Sequence, residues 1–255
     1  MESEKQRLKT PTSTFDKMFT GFLSWVEKRI AKHSVHGNPP VYDPAEFPWV
    51  GKIDKQWHLV RAELDSLLER REELPNFHDI SPDVSSITND NNWKTFFLLG
   101  YGVNCEENQK VCPETTRLIK TIPGIKTAMF SILSPGKHIP HHTGPYNGVL
   151  RYHLGLVVPE PKEQCRIRVD DQYIVWEEGK GIVFDDCFDH EVWNDTDGVR
   201  VVLFVDFVRP VKFPFNLLNW LVLSSAAFTP YIREANENQK KWEKQFHGKE
   251  KASVS

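Results

Sequence analysis

The chain has 255 residues, 39% hydrophobic and 26% charged, enough to bury one catalytic-sized core but too few for two full domains. A formal net charge of −3 gives no general field for nucleic acid or an anionic surface, so any such partner would need a local basic cluster. The four cysteines, Cys105, Cys112, Cys165 and Cys187, form no metal-type CxxC pair, and no leader-like or membrane-spanning segment is apparent; free thiols in a reducing, cytoplasmic-type setting are expected.

Residues 13–32 open with a capping-box pattern, Ser13 followed by Asp16, and then place Phe15, Phe19, Phe22, Leu23, Val26 and Ile30 on one helical face. Lys17, Lys28, Arg29 and Lys32 lie on the other side, a combination that suits either packing on the rest of the protein or peripheral contact with an anionic membrane. Pro39, Pro40, Pro44 and Pro48 predict an extended strap over 37–50. A second helix follows over 55–71, with Trp57, Val60, Leu64, Leu67 and Leu68 at helical spacing. The polar stretch 76–92 reads as a mobile loop placed to cover a site.

From Trp93 onward short strands dominate, at 94–99, 127–133, 149–158, 165–169, 172–176, 181–184 and 199–208, with a helix near 115–122. Closing them into a double-sheet jelly roll would remove exposed edges and create a cavity. The run from Phe213 to Ile232 is the most apolar, yet Pro214, Asn216, Asn219, Ser224, Ser225 and Pro230 interrupt it, leaving it short of the ~20 residues a bilayer needs. It suits either a helix packed on the core or contact with a lipid interface. The charged tail from Arg233 reads as helical to Phe246 and irregular beyond Gly248. The expected organisation is an amphipathic helix (1–36), a strap, helix and loop (37–92), a jelly-roll core (93–210) and an apolar segment with a charged tail (211–255). The fold class is mainly β, a cupin-like double-stranded β-helix with helices flanking both ends.

Two histidines distant in sequence, His142 and His190, are candidate ligands for divalent iron, provided the fold brings their segments together. Arg200 stands in the apolar run Val199-Arg-Val-Val-Leu-Phe-Val-Asp-Phe-Val208 and on even spacing shares a face with Val202 and Phe204. A guanidinium in such surroundings needs an anion, and a dicarboxylic cosubstrate would supply one. His138, His141 and Asp186 flank the pair as weaker candidates for supporting or substrate-facing roles. Asp185, Asp189 and Glu191 crowd His190, where a carboxylate could orient the ring. Trp176-Glu-Glu-Gly reads as structural.

Seven ordered motifs carry a resemblance: Trp93-Lys-Thr-Phe-Phe, Phe130-Ser131, His142-Thr-Gly-Pro, Leu150-Arg-Tyr-His-Leu-Gly-Leu156, Trp176-Glu-Glu-Gly, Phe184-Asp-Asp and His190-Glu-Val-Trp. Over about 93–210 the chain resembles the aspartyl/asparaginyl β-hydroxylase family of Fe(II)- and 2-oxoglutarate-dependent oxygenases. The resemblance implies iron held by His142 and His190, the distal carboxylate of 2-oxoglutarate clamped by Arg200, and a cosubstrate pocket lined by Trp93, Ser131, Arg151 and His153. It also implies O2 as oxidant, with ascorbate supportive, and hydroxylation of an unactivated C–H with release of succinate and carbon dioxide. Gly144 stands where the wider superfamily places a ligating carboxylate; the family's animal peptide hydroxylases share this His-x-Gly form. The gap would also admit a halide, although nothing else in the sequence asks for halogenation.

Two substrate classes follow from the resemblance, and a non-catalytic binding module is a remote third reading, opposed by retention of both histidines and both Arg151 and Arg200. The core wording matches the branch acting on Asp or Asn of a peptide or amino acid. The flanks, including Asn38-Pro-Pro-Val-Tyr, Cys112-Pro-Glu-Thr-Thr and Arg209-Pro-Val-Lys-Phe, match the branch that 2-hydroxylates acyl chains of bacterial lipids such as lipid A or ornithine lipid. Flanking elements build the substrate entrance, so the lipid is favoured, with peripheral membrane contact between Phe15 and Ile30 and between Phe213 and Ile232.

Overall fold

A computed structural model describes residues 14–100, 103–226 and 229–253. Among these residues two antiparallel sheets are formed. The larger runs in the order β1 (Val41–Tyr42), β9 (Gly181–Phe184), β6 (Val149–Val157), β11 (Arg200–Val208), β4 (Ile125–Leu133), β2 (Trp93–Gly100), β3 (Val103–Asn104). The smaller runs β5 (His138–His142), β10 (His190–Asn194), β7 (Cys165–Val169), β8 (Gln172–Val175). Helices α1 (Thr14–His33), α2 (Val50–Asp54), α3 (Trp57–Leu68), α4 (Phe77–Ile80), α5 (Glu106–Val111), α6 (Pro113–Ile119), α7 (Phe215–Ala226) and α8 (Pro230–Ser253) flank them. The architecture is the mainly β jelly roll expected from the strand pattern, with helices at both ends.

The period of two along each strand builds this arrangement. In β11, Val201, Leu203, Val205 and Phe207 pack outward with Phe96, Phe130 and Leu154 against α2 and α3, through Val50, Ile53, Val60 and Leu64. Val202 and Phe204 face inward and meet Met129, Ile139, Ile167 and Val192 between the sheets. A strand covered on both sides reads as one unbroken apolar run, and each such side chain contributes roughly 1.5–3 kcal/mol on burial. Arg200 and Asp206 share the inward spacing, so the chain spends two interior positions on charge.

β5 carries an irregularity that matters for the site. His142 pairs with His190 while Ile139 pairs with Val192, so two intervening residues of β5, Pro140 and His141, oppose one of β10, Glu191. The extra residue is a bulge, which resets the alternation and lets both Ile139 and His142 face the interior. His141 and His138 are left on the outside, with side chains 62% and 46% exposed.

Several segments differ from expectation. Residues 76–92 fold into α4 and a 3₁₀ turn (Pro82–Ser86). They are fastened by the Asn76/Asp79 capping box, by Lys137 bonding Thr88 and Asp90, and by Phe77 edge-on to Trp93 at 4.8 Å. The strap is extended only in part, since Asp43 caps a 3₁₀ turn at Pro44–Glu46. Helix α8 runs on to Ser253 where irregular chain was expected beyond Gly248, and its buried Phe246 and His247 dock on Phe96 and Asn108. Of the side chains described on the anticipated apolar face of α1, Val26 and Ile30 are buried, while Phe19 and Phe22 stay exposed. The expected cap at Ser13 lies outside the described residues. No helix among the described residues is long and apolar enough to cross a membrane.

Candidate active site

Hydrogen bonding fixes the state of both histidines. Nδ1 of His142 donates to the Pro140 carbonyl at 2.8 Å, and Nδ1 of His190 donates to the Phe188 carbonyl at 3.0 Å. A carbonyl can only accept, so each Nδ1 carries the proton and each Nε2 keeps its lone pair. The two rings lie 4.1 Å apart between centroids. Desolvation by burial lowers His142 below the ordinary imidazole range and His190 well below it. Neutral imidazoles with anchored Nδ1 and free Nε2 are what a metal centre requires of its ligands. The ring of His190 is oriented by the backbone and not by Asp185, Asp189 or Glu191.

Beside this pair lies Asp186, 2% exposed, whose carboxylate pairs with Arg151 at 2.9 Å. Arg151 also donates through Nε to Asp206 at 2.9 Å, and its guanidinium covers the Phe204 ring at 4.1 Å. The Gly144 amide donates to the Asp186 carbonyl at 2.6 Å, and a Cβ at Gly144 would collide with the Asp186 carboxylate. The space left by the missing side chain of residue 144 is therefore filled by an acid from another loop. Asp185, Asp186 and Cys187 are close enough to form a cation site, but Asp185 is already paired with buried Arg209 and Asp186 with Arg151.

A second group of side chains lines the inner face of the large sheet. Arg200 is 1% exposed, and among the described residues no carboxylate pairs with it. Its guanidinium makes long contacts to the Ser131 carbonyl (3.4 Å) and hydroxyl (3.5 Å), and its Nε has no partner. Burial lowers its pKa to about 10. It stacks on the Trp176 ring at 4.5 Å, and the Trp176 Nε1 donor is also unsatisfied. Trp93 donates from Nε1 to the Ser131 hydroxyl at 3.0 Å, which leaves the Ser131 proton free for another acceptor. His153 is buried among Trp176, Phe184 and Phe204 with neither ring nitrogen bonded, and desolvation pushes it well below the usual range.

Such a density of orphaned buried donors around one cation is what an anionic ligand would satisfy, because an unsatisfied buried polar group costs about 1–3 kcal/mol. The structure thus brings together His142, His190, Asp186, Arg151 and His153 on one side and Trp93, Ser131 and Arg200 on the other. It does not bring in His138 or His141, which pair on the outside with Glu191 (2.7 Å) and Asp189 (3.2 Å). Trp176, read as structural, stacks on Arg200, and Asp206 holds Arg151. An acid on the inward spacing of an apolar strand was the available signal for Asp206, and for Trp176 it was the motif Trp176-Glu-Glu-Gly.

Fold and site together define a jelly-roll protein with two neighbouring histidines and, between the same sheets, a buried arginine that no carboxylate among the described residues pairs with. Residues 54–210 match the profile of the family described as Aspartyl/Asparaginyl beta-hydroxylase. The chain belongs to that family, and it is a hydroxylase. It is 53% identical over 94% of its length to the ornithine lipid ester-linked acyl 2-hydroxylase of Rhizobium tropici, covering 85% of that protein. It is 35% identical over 69% of its length to the human aspartyl/asparaginyl beta-hydroxylase, of which it spans 23%. A solved Pseudomonas putida prolyl-4-hydroxylase aligns with 73% of this chain and 98% of its own, at 20% identity and a TM-score of 0.39.

Proposed function

We propose that the protein is an Fe(II)- and 2-oxoglutarate-dependent dioxygenase that hydroxylates the 2-position of an acyl chain on a membrane lipid. The observation that carries the reaction class is Arg200, a buried cation with no acidic partner among the described residues, placed between the sheets with His153 linking it to two histidines whose Nε2 atoms are free. In this reading His142 and His190 hold the iron, and Arg200 with the Ser131 hydroxyl receives the distal carboxylate. Trp93 orients Ser131, and neutral His153 offers a ring N–H to the cosubstrate's other end. Arg151, tied to Asp206, holds Asp186 in the space that Gly144 leaves, where the acid's charge makes a halide unfavourable. Iron with 2-oxoglutarate supplies the activation of O2 that breaks an unactivated C–H bond, and ascorbate would keep the iron reduced. The chain's own part is to place one substrate carbon there and to keep bulk water out with the apolar cluster around Phe184, Val202 and Phe204.

The lipid is favoured because identity to the R. tropici lipid hydroxylase extends through 94% of the chain, flanks included, where substrate entry is built. Peripheral lipid contact between Phe15 and Ile30 and between Phe213 and Ile232, without any nucleic-acid partner, belongs to the same reading. The competing substrate is Asp or Asn in a peptide, favoured by the match of the core to the human enzyme. Succinate release with Fe(II), ascorbate and 2-oxoglutarate, run in parallel with a polar-lipid extract and an Asp/Asn peptide mixture, separates them. Stimulation by lipid alone is expected; stimulation by peptide alone would transfer the assignment to the peptide branch.

A further inference from the structure

Twelve large apolar side chains are exposed among the described residues, and eight of them fall on α1, on α7 or on the turn before it. On α1 these are Met18, Phe19, Phe22 and Trp25; on the other segment they are Phe213, Leu217, Trp220 and Leu221. The helices are not loose. Val26, Ile30 and Val211 form a buried cluster with Phe215, Leu218 and Val222, and His33 stacks on Phe215 at 4.3 Å. Their exposed stripes are what remains after the packing is complete, so apolar surface is left on a finished, well-seated pair of helices.

We infer that α1 and α7 form a docking platform for an anionic lipid bilayer, and that this platform sets the active-site loop against the membrane. The inference rests on the lipid reading of the substrate only for its purpose, since the surface exists whatever the substrate is. Charge selects the occupant. Lys28, Lys32 and Lys212 are exposed on the same two segments as the apolar side chains, Arg29 lies over Trp25 at 5.4 Å, and α7 carries no charge. A second copy would oppose this basic rim with the same charge, whereas anionic headgroups complement it and the rings of Trp25 and Trp220 suit the headgroup boundary. At 12 residues α7 is too short to span a bilayer, so it would lie in the interface.

The platform is bonded to the loop that leaves His142. Asn147 donates to the Glu27 carbonyl of α1 at 3.0 Å, Tyr146 donates to Asn219 of α7 at 2.9 Å, and Asn219 donates back to the Gly148 carbonyl at 2.9 Å. The same loop holds Gly144 against Asp186. Seating the two helices on lipid would therefore fix the loop that follows His142, and carries Gly144, relative to the membrane that holds the acyl chains.

Flotation of the full chain with phosphatidylcholine vesicles, with and without phosphatidylglycerol and free of any substrate lipid, tests the platform apart from turnover. Recovery with the anionic vesicles is expected, falling about tenfold for Leu217→Ser/Trp220→Ser and for Lys28→Glu/Lys32→Glu. All four side chains are exposed, and circular dichroism with turnover of detergent-dispersed substrate reports that the variants are folded. Hydroxylation of lipid without flotation would overturn the platform while leaving the lipid reading intact. Flotation of a protein that turns over only peptide would support the platform and overturn the lipid reading. A solution dimer dispersed by Leu217→Ser/Trp220→Ser, with no vesicle binding, would reassign the face to self-association and overturn the inference.

Discussion

The carboxylate of Asp186 occupies the volume in which any side chain of residue 144 would have to lie. Gly144 is thus the complement of an acid brought in from the loop before β10 and held by Arg151.

It follows that Gly144→Asp, which would restore the carboxylate usual in the wider superfamily, should harm this enzyme. The new side chain must expel Asp186 and break its pair with Arg151. Losing a supporting partner of this kind costs about 10- to 100-fold in metal affinity or activity. Titration of the variant with Fe(II) under anaerobic conditions, followed by turnover, checks this; equal or better performance would show that Asp186 has no role at the metal.

Arg200 gives a prediction with opposite signs for stability and function. Its charge is buried without an acidic partner, so Arg200→Met should raise the melting temperature of the ligand-free protein while abolishing the further rise produced by 2-oxoglutarate. The cosubstrate requirement of Arg200→Ala should increase by an amount on the order of 3–5 kcal/mol at most. Thermal melts with and without 2-oxoglutarate decide the matter, and a variant that still responds to the ligand would move the clamp elsewhere.

A different outcome is expected for Arg209. It donates to Asp185 and, at 2.7 Å, to Asn38, joining the strap to the segment that leads into β10. Arg209→Met leaves Asp185 buried without its partner, and breaking such a pair typically costs about 3–5 kcal/mol. Denaturant unfolding should show this loss with or without metal present. A change below about 1 kcal/mol would mean that the pair is solvated.

His138→Ala and His141→Ala should leave turnover near that of the unaltered protein, because both rings lie on the outside of β5 against surface carboxylates, contacts worth about 0–1 kcal/mol. His190→Ala should abolish it and leave the fold intact. Loss of activity in His141→Ala comparable to that in His190→Ala would contradict the register described for β5.

Much of this was legible in the sequence for a physical reason. Strand alternation is local, so the inward placement of Arg200, Val202 and Phe204 could be read from β11 alone, as could the candidacy of His142 and His190 from their motifs. Whatever depends on a non-local partner was not legible. Strands β5 and β10, which carry the histidines, are short and polar and show no apolar period. The bulge that aims His142 is visible only from its pairing with β10. Trp176 acquires its contact with Arg200 only through the fold, 24 residues away along the chain. Residues 76–92 are polar enough to read as loose chain, yet Phe77 and Lys137 fasten them to the core.

The central claim, oxygenation of a lipid acyl chain at this paired-histidine site, is tested most directly by isotope transfer. Purified protein, Fe(II), 2-oxoglutarate and a polar-lipid extract would be incubated under ¹⁸O₂ and the products read by mass spectrometry. The account predicts one ¹⁸O in a new hydroxyl at the acyl 2-position and the other in succinate, both lost in His190→Ala. Hydroxyl oxygen drawn from water, or labelled succinate formed only when an Asp/Asn peptide replaces the lipid, would contradict it.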